Sequence, residues 1–133
     1  MGACYSVTLK GKFTDAEGAV KALQRKVARA DQEHTNYNLD HYRGDLGLDL
    51  GSLKGLLQLF FGGWEASLRP AFDTDYEVVL TSGFDASYGW EGVMMDAFDD
   101  LAPYLEEGSS IKIYPDSDYD HAVVKGGKAV WIH

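Results

Sequence analysis

Asp116, Asp118 and Asp120, followed by His121, are the residues of this chain whose types and spacing most suggest chemistry. In an extended segment alternate side chains point the same way at intervals of about 6.6 Å. Three carboxylates and an imidazole in that arrangement could share a cation. The segment begins like a calcium loop, which needs glycine at its sixth position and glutamate at its twelfth. This chain has His121 and Gly127 there, which excludes an EF-hand. A looser Asp/His site or a solvated acidic loop after Pro115 remains.

A second set, His34 and His41 with Asp40 and Asp45, would support metal-assisted hydrolysis if its segment folded back on itself. The same stretch otherwise reads as a polar loop. Cys4 is the single cysteine, so no internal disulfide can form and a reducing cytosol suits the chain. On a strand it reads as a small core residue rather than a nucleophile. No G-x-S-x-G, Walker A, G-x-G-x-x-G, C-x-x-C or H-E-x-x-H pattern occurs. These residues therefore give no catalytic assignment, no metal site and no cofactor.

The elements that would position such groups follow from periodicity. A first strand is expected over 3–13. The opening residues Met1 to Ser6 fit a myristoylation template, but alternation of Tyr5, Val7 and Leu9 makes them the start of that strand and leaves no tether. Thr14-Asp15-Ala16-Glu17 is a capping box, and Ala16, Val20, Leu23, Val27 and Ala30 behind it form a helical apolar stripe. Lys21, Arg25 and Arg29 share the outward face of that helix. An extended piece at 46–50 precedes a second helix over 52–61, capped by Ser52 or Asp49 and stopped by Gly62-Gly63.

Strands over 64–69 and 76–82 pair across a turn from Pro70 to Asp75. A loop from Ser82 to Gly89 leads to a third helix starting near Ser87. Its core face is Trp90, Met94, Ala97, Phe98, Leu101 and Leu105, and Pro103 tightens its last turn. A strand at 111–114 and a hairpin turning at Gly126-Gly127 complete the chain. The order places the chain in the α+β class as one domain over 1–133. A split βαβ, ferredoxin-like sandwich with a mostly antiparallel sheet, an extra helix and a C-terminal hairpin is expected.

Charge is divided unevenly along this chain of net charge −9: residues 1–72 hold 9 Lys+Arg against 8 Asp+Glu, and residues 73–133 hold 3 against 13. Folding requires no such division, and it favours a basic partner over nucleic acid. Glu106 and Glu107 fall where a helix C-terminus disfavours anions, and Asp96, Asp99 and Asp100 have no lysine or arginine within a turn. Common acidic helix faces in water give the same pattern without function. No apolar run approaches the ~18 residues of a membrane span, and no basic region followed by an apolar stretch marks a signal peptide. A cytoplasmic, non-membrane protein is expected.

The block Ser82-Gly83-Phe84-Asp85 through Tyr88-Gly89-Trp90, the helix ending in Pro103-Tyr104-Leu105, the strand at Ile111–Tyr114 and the Gly126-Gly127 hairpin resemble small uncharacterised proteins of phages and integrative elements. The resemblance implies a mobile-element setting in a bacterial cytoplasm and carries over no catalytic residue.

These features lead to a non-enzymatic acidic domain that docks a basic protein surface, such as a host nucleic-acid-binding protein. The contact set is Asp96, Asp99, Asp100, Glu106, Glu107, Asp116, Asp118 and Asp120, with Tyr88 and Tyr119 as aromatic anchors. Direct nucleic-acid binding is not expected. The alternatives are a small metal-dependent hydrolase and a self-associating homodimer in which Lys21-Arg25-Arg29 meets the acidic half of a second copy.

Overall fold

A computed structural model describes residues 2–33, 49–62, 67–72, 75–87, 90–115 and 120–132. The fold is organised by the first strand. In β1 (Gly2–Phe13) Tyr5, Val7, Leu9 and Phe13 are buried, whereas Ser6 and Lys10 are exposed, as a period of two requires when one face is covered. Both edges of β1 are paired antiparallel. One edge meets β3 (Asp75–Ser87) from Gly2↔Ser87 to Phe13↔Tyr76, and the other meets β4 (Ser110–Pro115) from Tyr5↔Pro115 to Lys10↔Ser110.

β2 (Ser67–Phe72) lies outside β3, and the hairpin of β5 (Asp120–Lys125) and β6 (Lys128–Ile132) lies outside β4. The result is a six-stranded antiparallel sheet in the order β2-β3-β1-β4-β5-β6. Gly126 and Gly127, with φ of 60° and 74°, close the hairpin. Two successive positive φ values define the turn that matches strand twist and favour glycine at both positions.

Helices α1 (Ala16–Glu33), α2 (Leu53–Phe61) and α3 (Trp90–Leu101) cover one face of the sheet. Ala19, Leu23 and Val27 of α1, Leu56, Leu57 and Phe60 of α2, and Met94, Phe98 and Leu101 of α3 pack in one core with the inward side chains of β1, β3, β4 and β5. The indole of Trp90 donates to the Phe60 carbonyl at 3.0 Å, tying the start of α3 to the end of α2. Ser52 caps α2 by accepting from the Gly55 N–H at 3.1 Å, and Gly62 at φ 71° ends it. Gly55 is required by close approach: a Cβ there would overlap the Asp49 carbonyl.

Several boundaries differ from those expected, each for a local reason. Asp15, not Thr14, caps α1 by accepting from the Gly18 N–H at 2.9 Å, because Thr14 is drawn away to donate its own N–H to the Tyr104 carbonyl at 2.9 Å. The expected loop from Ser82 is strand as far as Ser87, since β1 is long enough to pair with all of it, and α3 begins only at Trp90. Pro70 lies inside β2 beside a register shift between Pro70 and Phe72, which an edge strand tolerates.

α3 ends at Leu101 and tightens into a 3-10 turn at Ala102–Tyr104 with Pro103 inside it. Glu106 and Glu107 therefore lie beyond the helix, and the helix-dipole penalty expected for them does not apply. Of the extended piece expected over 46–50, residues 46–48 lie outside the described residues and Leu50 sits in the turn before α2. Residues 64–66 of the expected second strand also lie outside them.

The two faces of β1 should respond differently to truncation. Leu9→Ala, at a fully buried site, should lower the unfolding free energy by about 2–5 kcal/mol. Lys10→Ala, on the open face, should change it by no more than about 0.5 kcal/mol. Urea titrations of both variants against the parent chain measure the contrast.

Candidate functional site

The cleft between α1 and α3 gathers six charged side chains. On α1, Ala22, Arg25, Lys26 and Arg29 recur at helical spacing and form one stripe; on α3, Asp96, Asp99 and Asp100 do the same. The stripes line a cleft of about 390 Å³ in which three cations face three carboxylates. Lys26 Nζ reaches Asp100 Oδ2 at 3.0 Å. The Asp100 side chain is 47% exposed, so the pair is worth at most about 1 kcal/mol. Its effect is to fix the two helix edges relative to each other more than to stabilise the fold.

Asp99 is anchored from the sheet. Trp131 of β6 donates its indole N–H to Asp99 Oδ1 at 2.8 Å while its ring packs edge-on against Phe98, centroids 5.9 Å apart. The partners that α3 lacked within its own helix thus come from α1 and β6. Asp96 is exposed at the same edge and makes no ion pair or hydrogen bond among the described residues.

Glu106 and Glu107 form a separate group. The Glu106 N–H donates to the Lys12 carbonyl at 2.8 Å, and its carboxylate lies 3.9 Å from Lys12 Nζ. Glu107 Oε2 accepts from the Gly126 N–H at 2.8 Å, so this carboxylate caps the β5–β6 turn. Asp120 stands half-buried at the start of β5, opposite Ile113. Tyr88, Asp116, Asp118 and Tyr119 lie outside the described residues, as do His34, Asp40, His41 and Asp45. The acidic residues expected to form one contact set therefore divide, where described, among the α3 edge, the corner after the 3-10 turn and the start of β5. Among the described residues no three His, Cys, Asp or Glu side chains gather as metal ligands would.

Two contributors were missed by sequence reasoning: Lys26 and Trp131. Helical spacing from Ala22 puts Lys26 on the stripe that faces α3, and alternation in Lys128-Ala129-Val130-Trp131-Ile132 puts Trp131 on the side of Ala129. Neither pattern states which helix lies opposite.

The open face of the sheet has the reverse character. Register and alternation place Lys10, Lys12, Lys112, Lys125 and Lys128 on it, against Glu77 among the described side chains. Every large hydrophobic side chain described as exposed, Val79, Tyr114, Val130 and Ile132, belongs to this face as well.

Tyr5 is tied to the first turn of α3. Its hydroxyl donates to Glu91 Oε2 at 2.7 Å from a ring that is 1% exposed. Burial, then the hydrogen bond to Glu91 and the charge of that carboxylate, push the phenol up to about 12, partly opposed by the backbone N–H groups of Trp90 and Glu91.

No protein-family model, curated protein or solved structure matches this chain.

The Tyr5 proton makes stability pH-dependent in one window. The folded chain holds it more tightly than the unfolded chain, whose phenol titrates at 10.0. Its contribution should be complete below pH 10 and be lost as pH rises towards about 12. Tyr5→Phe should abolish this component of the alkaline stability loss, read from chemical denaturation across that range.

Proposed function

We propose that the protein is a non-enzymatic binding domain that docks a basic protein surface through the edge of α3. The observation that carries this function is the state of Asp96, Asp99 and Asp100. Three carboxylates share one exposed helix edge, and two are held in place by Trp131 and Lys26. Each anchored carboxylate gives one oxygen to its intramolecular partner and keeps the other for an incoming donor. Side chains already fixed lose little entropy on docking. The net charge of −9 adds long-range attraction for a cationic partner. Arg25 and Arg29 repel cations within the cleft, so the partner approaches from the Asp96 side.

The order β2-β3-β1-β4, antiparallel at every step, supports a ferredoxin-like sandwich extended by the β5–β6 hairpin. In the mobile-element setting that the sequence resemblance implies, the partner is a host nucleic-acid-binding protein whose phosphate-binding groove becomes occupied.

Capture of a basic protein from the host lysate should be lost in high salt and in Asp96→Lys. With the captured protein purified, Asp96→Lys should weaken binding at least about tenfold, mainly by slowing association. Salt-indifferent binding, or equal affinity in the variant, would exclude the α3 edge as the contact.

A further inference from the structure

We propose that β6 is a dimerisation edge, pairing antiparallel with β6 of a second copy about a two-fold axis at Val130. This inference rests on the hairpin alone and stands independently of the α3 edge. Among the described residues β6 pairs only with β5, and it ends the sheet. The β5–β6 register is regular from Lys125↔Lys128 to His121↔Ile132, with no bulge and no proline, and Lys128 is the strand's only charge. Natural sheets blunt their edges with bulges, prolines and repeated charges. This strand carries one such device, at its first residue.

Register decides which backbone groups face outward. A two-residue turn makes Lys125↔Lys128 a hydrogen-bonded pair, so bonding to β5 alternates and falls on Lys128, Val130 and Ile132. The N–H and C=O groups of Ala129 and Trp131 are then directed away from β5. Pairing centred on Val130 sets Ala129 of each copy opposite Trp131 of the other, where each couple can exchange both its hydrogen bonds. The side chains agree with the same register. Val130 meets Val130 of the second copy at the close, non-hydrogen-bonded position, and Lys128 meets Ile132 rather than another lysine. Val130 and Ile132, 40% and 51% exposed, gain cover on the open face.

The chemistry favours a second copy over other occupants. Single-stranded nucleic acid needs aromatic platforms for its bases, and β6 offers aliphatic side chains to the open face. An acidic peptide would satisfy Lys128 but would meet Asp99 beside Trp131 on the helix side. Two short strands bury little area, so the association belongs to the weak, micromolar class. Copies of net charge −9 repel each other, and salt should therefore strengthen the dimer.

Sedimentation equilibrium of the full chain from micromolar to near-millimolar concentration, at low and high salt, should show mass rising towards twice the monomer, more so at high salt. Val130→Lys places two ammonium groups at the axis, and Ile132→Lys sets a lysine opposite Lys128. Each should weaken the dimer at least about tenfold while circular dichroism and thermal unfolding of the monomer stay unchanged. Hydrogen exchange at the Ala129 and Trp131 amides should slow with concentration in the parent chain and not in the variants. A parent chain that remains monomeric at high salt would overturn the proposal. So would a dimer that both variants leave intact, or one weakened by salt, which would point to contact between the basic and acidic helix faces instead.

Discussion

Pairing of β1 on both of its edges is the constraint from which the remaining structure follows. A strand paired along its whole length with β3 and from Tyr5 to Lys10 with β4 has little backbone left to offer water there, so its side chains decide what lies above and below. Tyr5, Val7, Leu9 and Phe13 attract the three helices to one face, while Ser6 and Lys10 leave the other open. Tyr5 carries the arrangement one step further. Its hydroxyl, held in the core, donates to Glu91 and ties the first turn of α3 to β1. Farther along α3, Asp100 meets Lys26 and Asp99 meets Trp131.

Charge is sorted by layer as well as by position along the chain. Among the described side chains five lysines share the open face with Glu77, and the carboxylates of Asp96, Asp99 and Asp100 lie on the helix side. Within the helix layer, cations from the first part of the chain stand opposite acids from the last. The imbalance between the two halves is thus partly answered inside the molecule, and what remains is concentrated where α3 meets solvent. Corner residues are occupied differently: Glu106 and Glu107 hold a turn to β1 and to the hairpin.

Local signals were legible wherever chemistry is confined to neighbours in sequence. Ser52, Gly62 and the Gly126-Gly127 turn announce α2 and the hairpin because caps and positive φ values depend on a few adjacent residues. The core face of α3 was equally plain from spacing, and Trp90, Met94, Ala97, Phe98 and Leu101 are buried. Signals failed where a distant partner decides. Gly83 within a stretch of aromatic and acidic residues suggests a loop, but β1 supplies a ladder through to Ser87. Asp100 seemed to lack a cation because Lys26 is distant in sequence and adjacent only after packing. Trp131 gave no hint of α3 for the same reason. Nothing in the linear pattern reveals that Lys10, Lys112 and Lys128 occupy a common surface.

The central place of the first strand also dictates a sequence of events during synthesis. Leu9 sits between Leu80 and Ile111, so the middle of the sheet closes only after β4 has left the ribosome. Loops of that span are slow to close, because their entropy is surrendered before any neighbour compensates for it. Until then one edge of β1 stays unpaired, although α1, α2 and β3 are already made and can cover its apolar face and its other edge. The interval during which that edge stands bare in the cell is set by the time needed to make the chain between β3 and the end of β4.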